Sequence, residues 1–172
     1  MSGGARRGDL SVTRWGARFR GRTLPCSIGR GGITGRKREG DGATPRGSHA
    51  LVGLLYRPDR VARAALPDWA LPIGAFDRWS DDPRDPAYNQ YLPGAAGHPF
   101  GHETLRRADP LYDVILLTDW NWPVAQKGRG SAIFVHVWRG PRVPTEGCVA
   151  FSKPDLLWIV NRLRIGDRLV VR

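Results

Sequence analysis

Residues 131–160, SAIFVHVWRGPRVPTEGCVAFSKPDLLWIV, decide the fold. The opening SAIFVHVW alternates its side chains, with Phe134, His136 and Trp138 on one face and Ile133, Val135 and Val137 on the other, the period of a β-strand. The turn-rich RGPRVPTE follows, and GCVAF reads as a second strand brought back beside the first. In SKPDLLWIVNRLR, Ser152 and Asp155 stand at capping-box spacing, Pro154 falls in the first turn, and apolar residues recur at helical intervals. That pattern predicts a helix over 152–164. Gly166 breaks the chain and RLVVR, 168–172, closes it as a strand.

Working outward, LYDVILLTD (111–119) and ALVGLLYR (50–57) are apolar runs of strand length. DLSVTRW (9–15) and RTLPCSI (22–28), joined by a Gly-containing basic turn, read as a strand pair. The stretch 29–49 is rich in Gly and charge and reads as loop, and 58–110 shows little periodicity and reads as mostly irregular. The expected architecture is mainly β, with one packed helix near the C-terminus. A chain of 172 residues with 41% hydrophobic content suits one core, so a single domain over 9–172 is expected behind a flexible start, 1–8.

The formal net charge is +11, and residues 1–60 hold 13 Lys plus Arg against 4 Asp plus Glu. Such a lobe attracts polyanions. It lacks interleaved aromatic runs, zinc spacing and a helix-turn-helix pattern, which argues against nucleic acid as the partner. No apolar run is long enough to span a membrane. The start, MSGGARRGDLSVTRWGARFRGR, has basic residues with no continuous apolar segment after them and does not read as a secretory signal.

Two cysteines far apart, Cys26 and Cys148, give neither a disulfide framework nor metal-ligand spacing, so no metal site is expected. Cys26, in TLPCSIG, reads as a small buried hydrophobe. Cys148 differs because the strand–loop–strand reading returns it toward His136. An imidazole beside a thiol can take its proton and later return it to a leaving group. Gly147 permits close backbone approach, and the amides of residues 146–148 are candidates for an oxyanion hole. An activated thiol of this kind is expected to label below ordinary thiol pH. Glu146 is a candidate to orient His136 or to meet a cationic amine. Tyr112, His102, Asp82 and Asn89 are candidate cleft-lining groups.

The same segment resembles the catalytic segment of the L,D-transpeptidase (YkuD-type) domain: a histidine, a loop, then Ser/Thr-His-Gly-Cys and a helix. The matching residues are His136, Thr145, Glu146, Gly147 and Cys148. Upstream, Thr44, Pro45 and Gly47 resemble the family's Thr-Pro-x-Gly segment, in the right order. The resemblance spans roughly 9–172 and implies a mainly β, sandwich-like fold. The sequence departs from the pattern at Glu146, where the family usually has histidine, and at Ala150, where Arg or Asn is common. The loop between His136 and Cys148 is also shorter than usual.

The resemblance implies attack by Cys148 on an amide of a peptidoglycan stem peptide, loss of the terminal D-residue, and transfer of the acyl group to an amine. His136 would be the base, no cofactor would be needed, and carbapenems would acylate the thiol. A cell-envelope or periplasmic location follows from the same resemblance. The acceptor stays open between a diaminoacid (3-3 crosslinks) and the L-alanine amine (1-3 crosslinks), the latter suggested by Ala150. Water would make the protein an L,D-carboxypeptidase, and a silent wall-binding or polyanion-binding homologue is the alternative outside catalysis.

Overall fold

The computed structural model describes residues 6–172. Of the expected flexible start, residues 1–5 lie outside the described residues. Arg6 to Asp9 form a closed turn, in which the Arg6 amide donates to the Asp9 carboxylate at 2.7 Å. A meander follows: β1 (Leu10–Thr13), β2 (Gly16–Phe19) and β3 (Arg22–Leu24). The strand pair predicted here is thus three strands. Arg20 (φ 47°) and Gly21 (φ 81°) both take the left-handed region that a tight turn between β2 and β3 demands.

The next elements are β4 (Ile33–Thr34), β5 (Thr44–Pro45), the long β6 (Gly47–Tyr56), β7 (Leu71–Pro72), β8 (Arg78–Ser80), β9 (Tyr91–Leu92) and β10 (His102–Thr104). The last third holds β11 (Val114–Thr118), β12 (Phe134–Val137), β13 (Val149–Phe151), the helix α1 (Lys153–Val160) and β14 (Arg168–Val171). The main sheet runs β13-β12-β11-β6-β14-β1-β2-β3, with β7 paired to β6. A second sheet runs β10-β8-β9, and β4 pairs with β5. The fold is mainly β and sandwich-like, with its helix near the C-terminus. Among the described residues no helix is long and apolar enough to cross a membrane.

Side-chain alternation divides the core in two. Val114 and Leu116 of β11, Val135 and Val137 of β12, and Val149 and Phe151 of β13 pack under α1 with Leu156, Ile159 and Val160. The opposite face carries Ile115, Phe134 and Cys148, which meet Trp79 of the small sheet and Leu105, Leu111 and Tyr112. Each fully buried aliphatic or aromatic side chain contributes about 1.5–3 kcal/mol, so α1 and the small sheet clamp the main sheet from both sides. The helix starts as its sequence predicts, with Ser152 Oγ accepting from the Asp155 amide at 3.2 Å. It ends four residues earlier than predicted, because Asn161 caps it and ties its Nδ2 to the Leu157 and Ala65 carbonyls.

Two further expectations change. The 29–49 stretch contains β4 and β5 and the first residues of β6, and 58–110 contains four short strands. Elements of two or three residues are too short to show a period, which is why the sequence reads as irregular there.

Candidate active site

β12 and β13 pair in parallel, Val135 opposite Val149 and His136 opposite Ala150. The chain therefore does not turn back as a hairpin: it leaves the end of β12, crosses over, and re-enters at the level where β12 begins. Parallel neighbours need such a crossover. Cys148 sits two residues before Ala150, hence on the face that His136 shares and one step along the strand. Both side chains line a single cavity of about 290 Å³, and the crossover supplies one wall through Arg139, Val143, Pro144, Thr145 and Glu146.

His136 is buried, and its Nδ1 lies 2.8 Å from the Val137 carbonyl oxygen. A carbonyl only accepts, so Nδ1 carries the proton and Nε2 keeps a free lone pair. Burial is the main cause holding the imidazole pKa down to about 4, opposed by the bond to Val137. The ring is neutral at physiological pH, so Nε2 is free to accept a proton, although burial makes it a weaker base than a solvated imidazole. The same burial has a stability consequence. Between pH 6.5 and about 4 the unfolded chain takes up a proton that the folded ring refuses, so stability falls as pH falls through that window. The full loss is about 3 kcal/mol. Urea titrations at pH 7 and pH 4.5 should show a smaller acid loss in His136→Gln than in the parent, and equal losses would show that another group is responsible.

The Cys148 thiol is held by the backbone of the neighbouring strand and the segment before it. Its Sγ accepts from the Phe134 amide at 3.3 Å and donates to the Ala132 carbonyl at 3.1 Å. Burial pushes its pKa up to about 12, against a smaller lowering by the Phe134 amide. Burial thus disfavours the thiolate in the resting site and works against labelling below ordinary thiol pH. A buried thiolate with only one amide to solvate it is too costly. The arrangement calls for base-assisted removal of the proton when an electrophile arrives. Cys26 is buried as expected, its pKa raised to about 11 chiefly by burial.

The loop before the cysteine is tightly built. Thr145 Oγ1 donates to the Cys148 carbonyl at 2.6 Å and accepts from the Gly147 amide at 3.1 Å. The Gly147 amide is therefore engaged, while the Cys148 amide takes no hydrogen bond among the described residues. Gly147 has φ 141°, and a Cβ there would stand 2.9 Å from the Ala43 carbonyl oxygen, so glycine is required on both counts. That contact explains the second motif: Thr44 Oγ1 accepts from the Gly29 amide at 2.8 Å, locking the 43–45 segment behind Gly147. Gly47 starts β6 in the left-handed half of φ, at 137°.

Of the other candidate residues, Tyr112 lines the cavity, its ring 5.4 Å from that of His136 and its hydroxyl 3.3 Å from Glu103. Glu146 is exposed and paired with Arg30 at 2.8 Å, so it does not orient His136. An exposed pair of this kind is worth under about 1 kcal/mol, and Glu146→Gln is expected to change acylation and transfer rates less than about threefold. A selective loss of transfer in single-turnover assays would restore a role at the acceptor step.

His102, Asp82 and Asn89 are not brought to the cavity wall. His102 Nδ1 meets the Phe100 carbonyl, and Asp82 is taken by Arg84. Asn89 acts behind the wall: its Oδ1 accepts from the Trp79 indole at 2.8 Å and from the Ala132 amide at 3.0 Å, and its Nδ2 donates to the Trp120 and Asn121 carbonyls. It thereby holds Ala132, a non-glycine residue at φ 51°, whose carbonyl receives the thiol proton. Asn89→Ala strands a buried indole N–H and a buried amide, which predicts a loss of about 2–4 kcal/mol. Thermal and urea melts would check it, and a loss under 1 kcal/mol would contradict this account.

Several wall residues went unread in the sequence. Asp81, Glu103 and Glu39 line the cavity with Arg107 and Arg139. Asp81 was within reach of strand parity, since it lies two residues from the core residue Trp79, and Glu103 is Trp79's register partner. Burial, reinforced by Glu103 and Glu39, raises the Asp81 pKa to about 6. Glu39 comes from the 36–42 loop and is fastened by Tyr88 and Ser131 at 2.5 and 2.7 Å. No local pattern announces it.

A parallel strand pair, a buried neutral imidazole with one open nitrogen, and a thiol on the same face define a site suited to cysteine acyl chemistry. The chain matches the model of the L,D-transpeptidase catalytic domain, YkuD, over residues 12–171, and it belongs to that family. Members are typically cysteine-dependent and act on peptidoglycan. Comparison with curated proteins and with solved structures gives no match.

Proposed function

We propose that the protein is a peptidoglycan L,D-transpeptidase that crosslinks stem peptides through a Cys148 acyl-enzyme. The observation that carries this reading is the cavity lined by both Cys148 and His136, whose Nδ1 is engaged by the Val137 carbonyl. When the donor amide enters, Cys148 Sγ attacks the carbonyl carbon next to the diaminoacid centre and its proton passes to His136 Nε2. The Cys148 amide, free of other partners, donates to the oxygen that becomes negative. Collapse breaks the C–N bond, the departing amine takes the proton from His136, and a thioester remains. An incoming amine then attacks the thioester, His136 takes its proton, and the thiol is regenerated.

The carboxylates in the lining support an amine over water as acceptor. Glu39, Asp81 and Glu103 attract an ammonium group, offset in part by Arg107 and Arg139 in the same lining. Ala150 is fully buried opposite His136 and bridged to Ser27, so the basic or amide side chain common at that position in the family has no counterpart here. This supports the L-alanine amine as acceptor, giving 1-3 crosslinks. Incubation with purified muropeptides and mass spectrometry of the products tests the reading. Crosslinked dimers support it, with fragmentation giving the register. Trimmed monomers alone would assign a carboxypeptidase, and unchanged muropeptides would assign a silent wall-binding homologue.

A further inference from the structure

On the turn between α1 and β14, Ile165 is fully exposed, and Trp69 and Val52 beside it are each 42% exposed. With Leu51 and Leu163 they line an apolar groove of about 750 Å³. Arg164 borders that groove and also borders two arginine-lined clefts, one with Arg7 and Arg20, the other with Arg20 and Arg162. Among the described residues Arg7, Arg162 and Arg164 form no salt bridge, whereas Arg20 is held by Asp167. An apolar trough and uncompensated guanidiniums thus meet on one face. None of the trough's residues lines the candidate active site.

We infer that this face docks on the surface of an anionic phospholipid bilayer. Its charge complements that surface, since the chain carries +11 and Arg7, Arg162 and Arg164 border this face without a carboxylate partner among the described residues. Guanidiniums bind lipid phosphates in forked pairs, while Ile165 and Trp69 enter the boundary between headgroups and acyl chains. A large apolar patch rimmed by charge marks an interaction surface. Nucleic acid fits less well: the Trp158 ring lies under Arg22 at 4.5 Å and Arg162 at 4.6 Å, which leaves Trp69 alone among the groove and cleft residues as an open ring, where a nucleic-acid strand needs successive stacking platforms. A second copy of the chain would set the same arginines against each other across a two-fold axis.

The test is co-sedimentation of the full chain with phosphatidylglycerol-containing vesicles and with pure phosphatidylcholine vesicles at about 0.1 M salt. Binding to the anionic vesicles alone is expected. Ile165→Asp should weaken it about tenfold or more, and Arg162→Gln with Arg164→Gln by a similar factor. All three side chains are exposed, so thermal melts should change little beyond the small loss of the Arg162 stack on Trp158, and muropeptide turnover in solution should be unchanged. Failure to bind anionic vesicles, equal binding to neutral ones, or indifference to Ile165→Asp would each overturn the inference. So would a concentration-dependent dimer in lipid-free sedimentation that the same variants abolish.

Discussion

Cys148→Ala should abolish acyl-enzyme formation and lower turnover by about 10⁴–10⁶-fold, the loss seen when a covalent nucleophile is deleted. The fold should survive. The side chain is small, its removal leaves a void no larger than one sulfur atom, and its partners, the Phe134 amide and Ala132 carbonyl, lose only weak bonds. Circular dichroism would report the fold, and intact-protein mass spectrometry after carbapenem exposure would report the adduct. Persistent acylation at wild-type rate, or an adduct on Cys26, would end the assignment of Cys148 as nucleophile. Cys26→Ala is the control and should retain turnover.

The second large effect belongs to His136. Replacing it with glutamine removes the base and should slow acylation about 10²–10⁴-fold. The pH profile carries more information than the rate. With the imidazole held down to about 4 and the thiol pushed up to about 12, both partners are neutral over a wide range. The parent enzyme should therefore show a broad plateau, falling only as pH drops toward about 4. In His136→Gln the plateau should vanish, and acylation should rise about tenfold per pH unit as bulk base ionises the thiol. A parent profile with its acid limb near 6.5 would mean an ordinary, solvated imidazole and would contradict the buried geometry.

Strand parity in SAIFVHVW sorted its side chains between the two core faces, because β12 is buried on both sides and alternation is all it needs. The Ser152 and Asp155 spacing located the start of α1 because capping is a local bond. Its end escaped, since Asn161 stops the helix partly through the distant Ala65 carbonyl. Cys148, His136 and Thr145 were legible as a segment, but the direction of β13 was not: parallel and antiparallel returns use the same residues. Glu39 and Glu103 reach the cavity through pairings tens of residues away, which only topology supplies. The neutral state of the thiol was hidden for a related reason, because ionisation depends on burial and burial belongs to the folded whole.

The parallel crossover between β12 and β13 separates two jobs that a hairpin would have fused. The reactive atoms ride on or beside the strands, while the span from Arg139 to Pro144 roofs the space above them and Thr145 fixes the cysteine's own turn. The roof is moored at its far end, where the Thr145 amide and carbonyl bond Ile28 and Arg30. The part of the roof before Thr145 is bonded to neither reactive side chain among the described residues, so its length and composition can change with less disturbance to the strands beneath than a hairpin turn would allow.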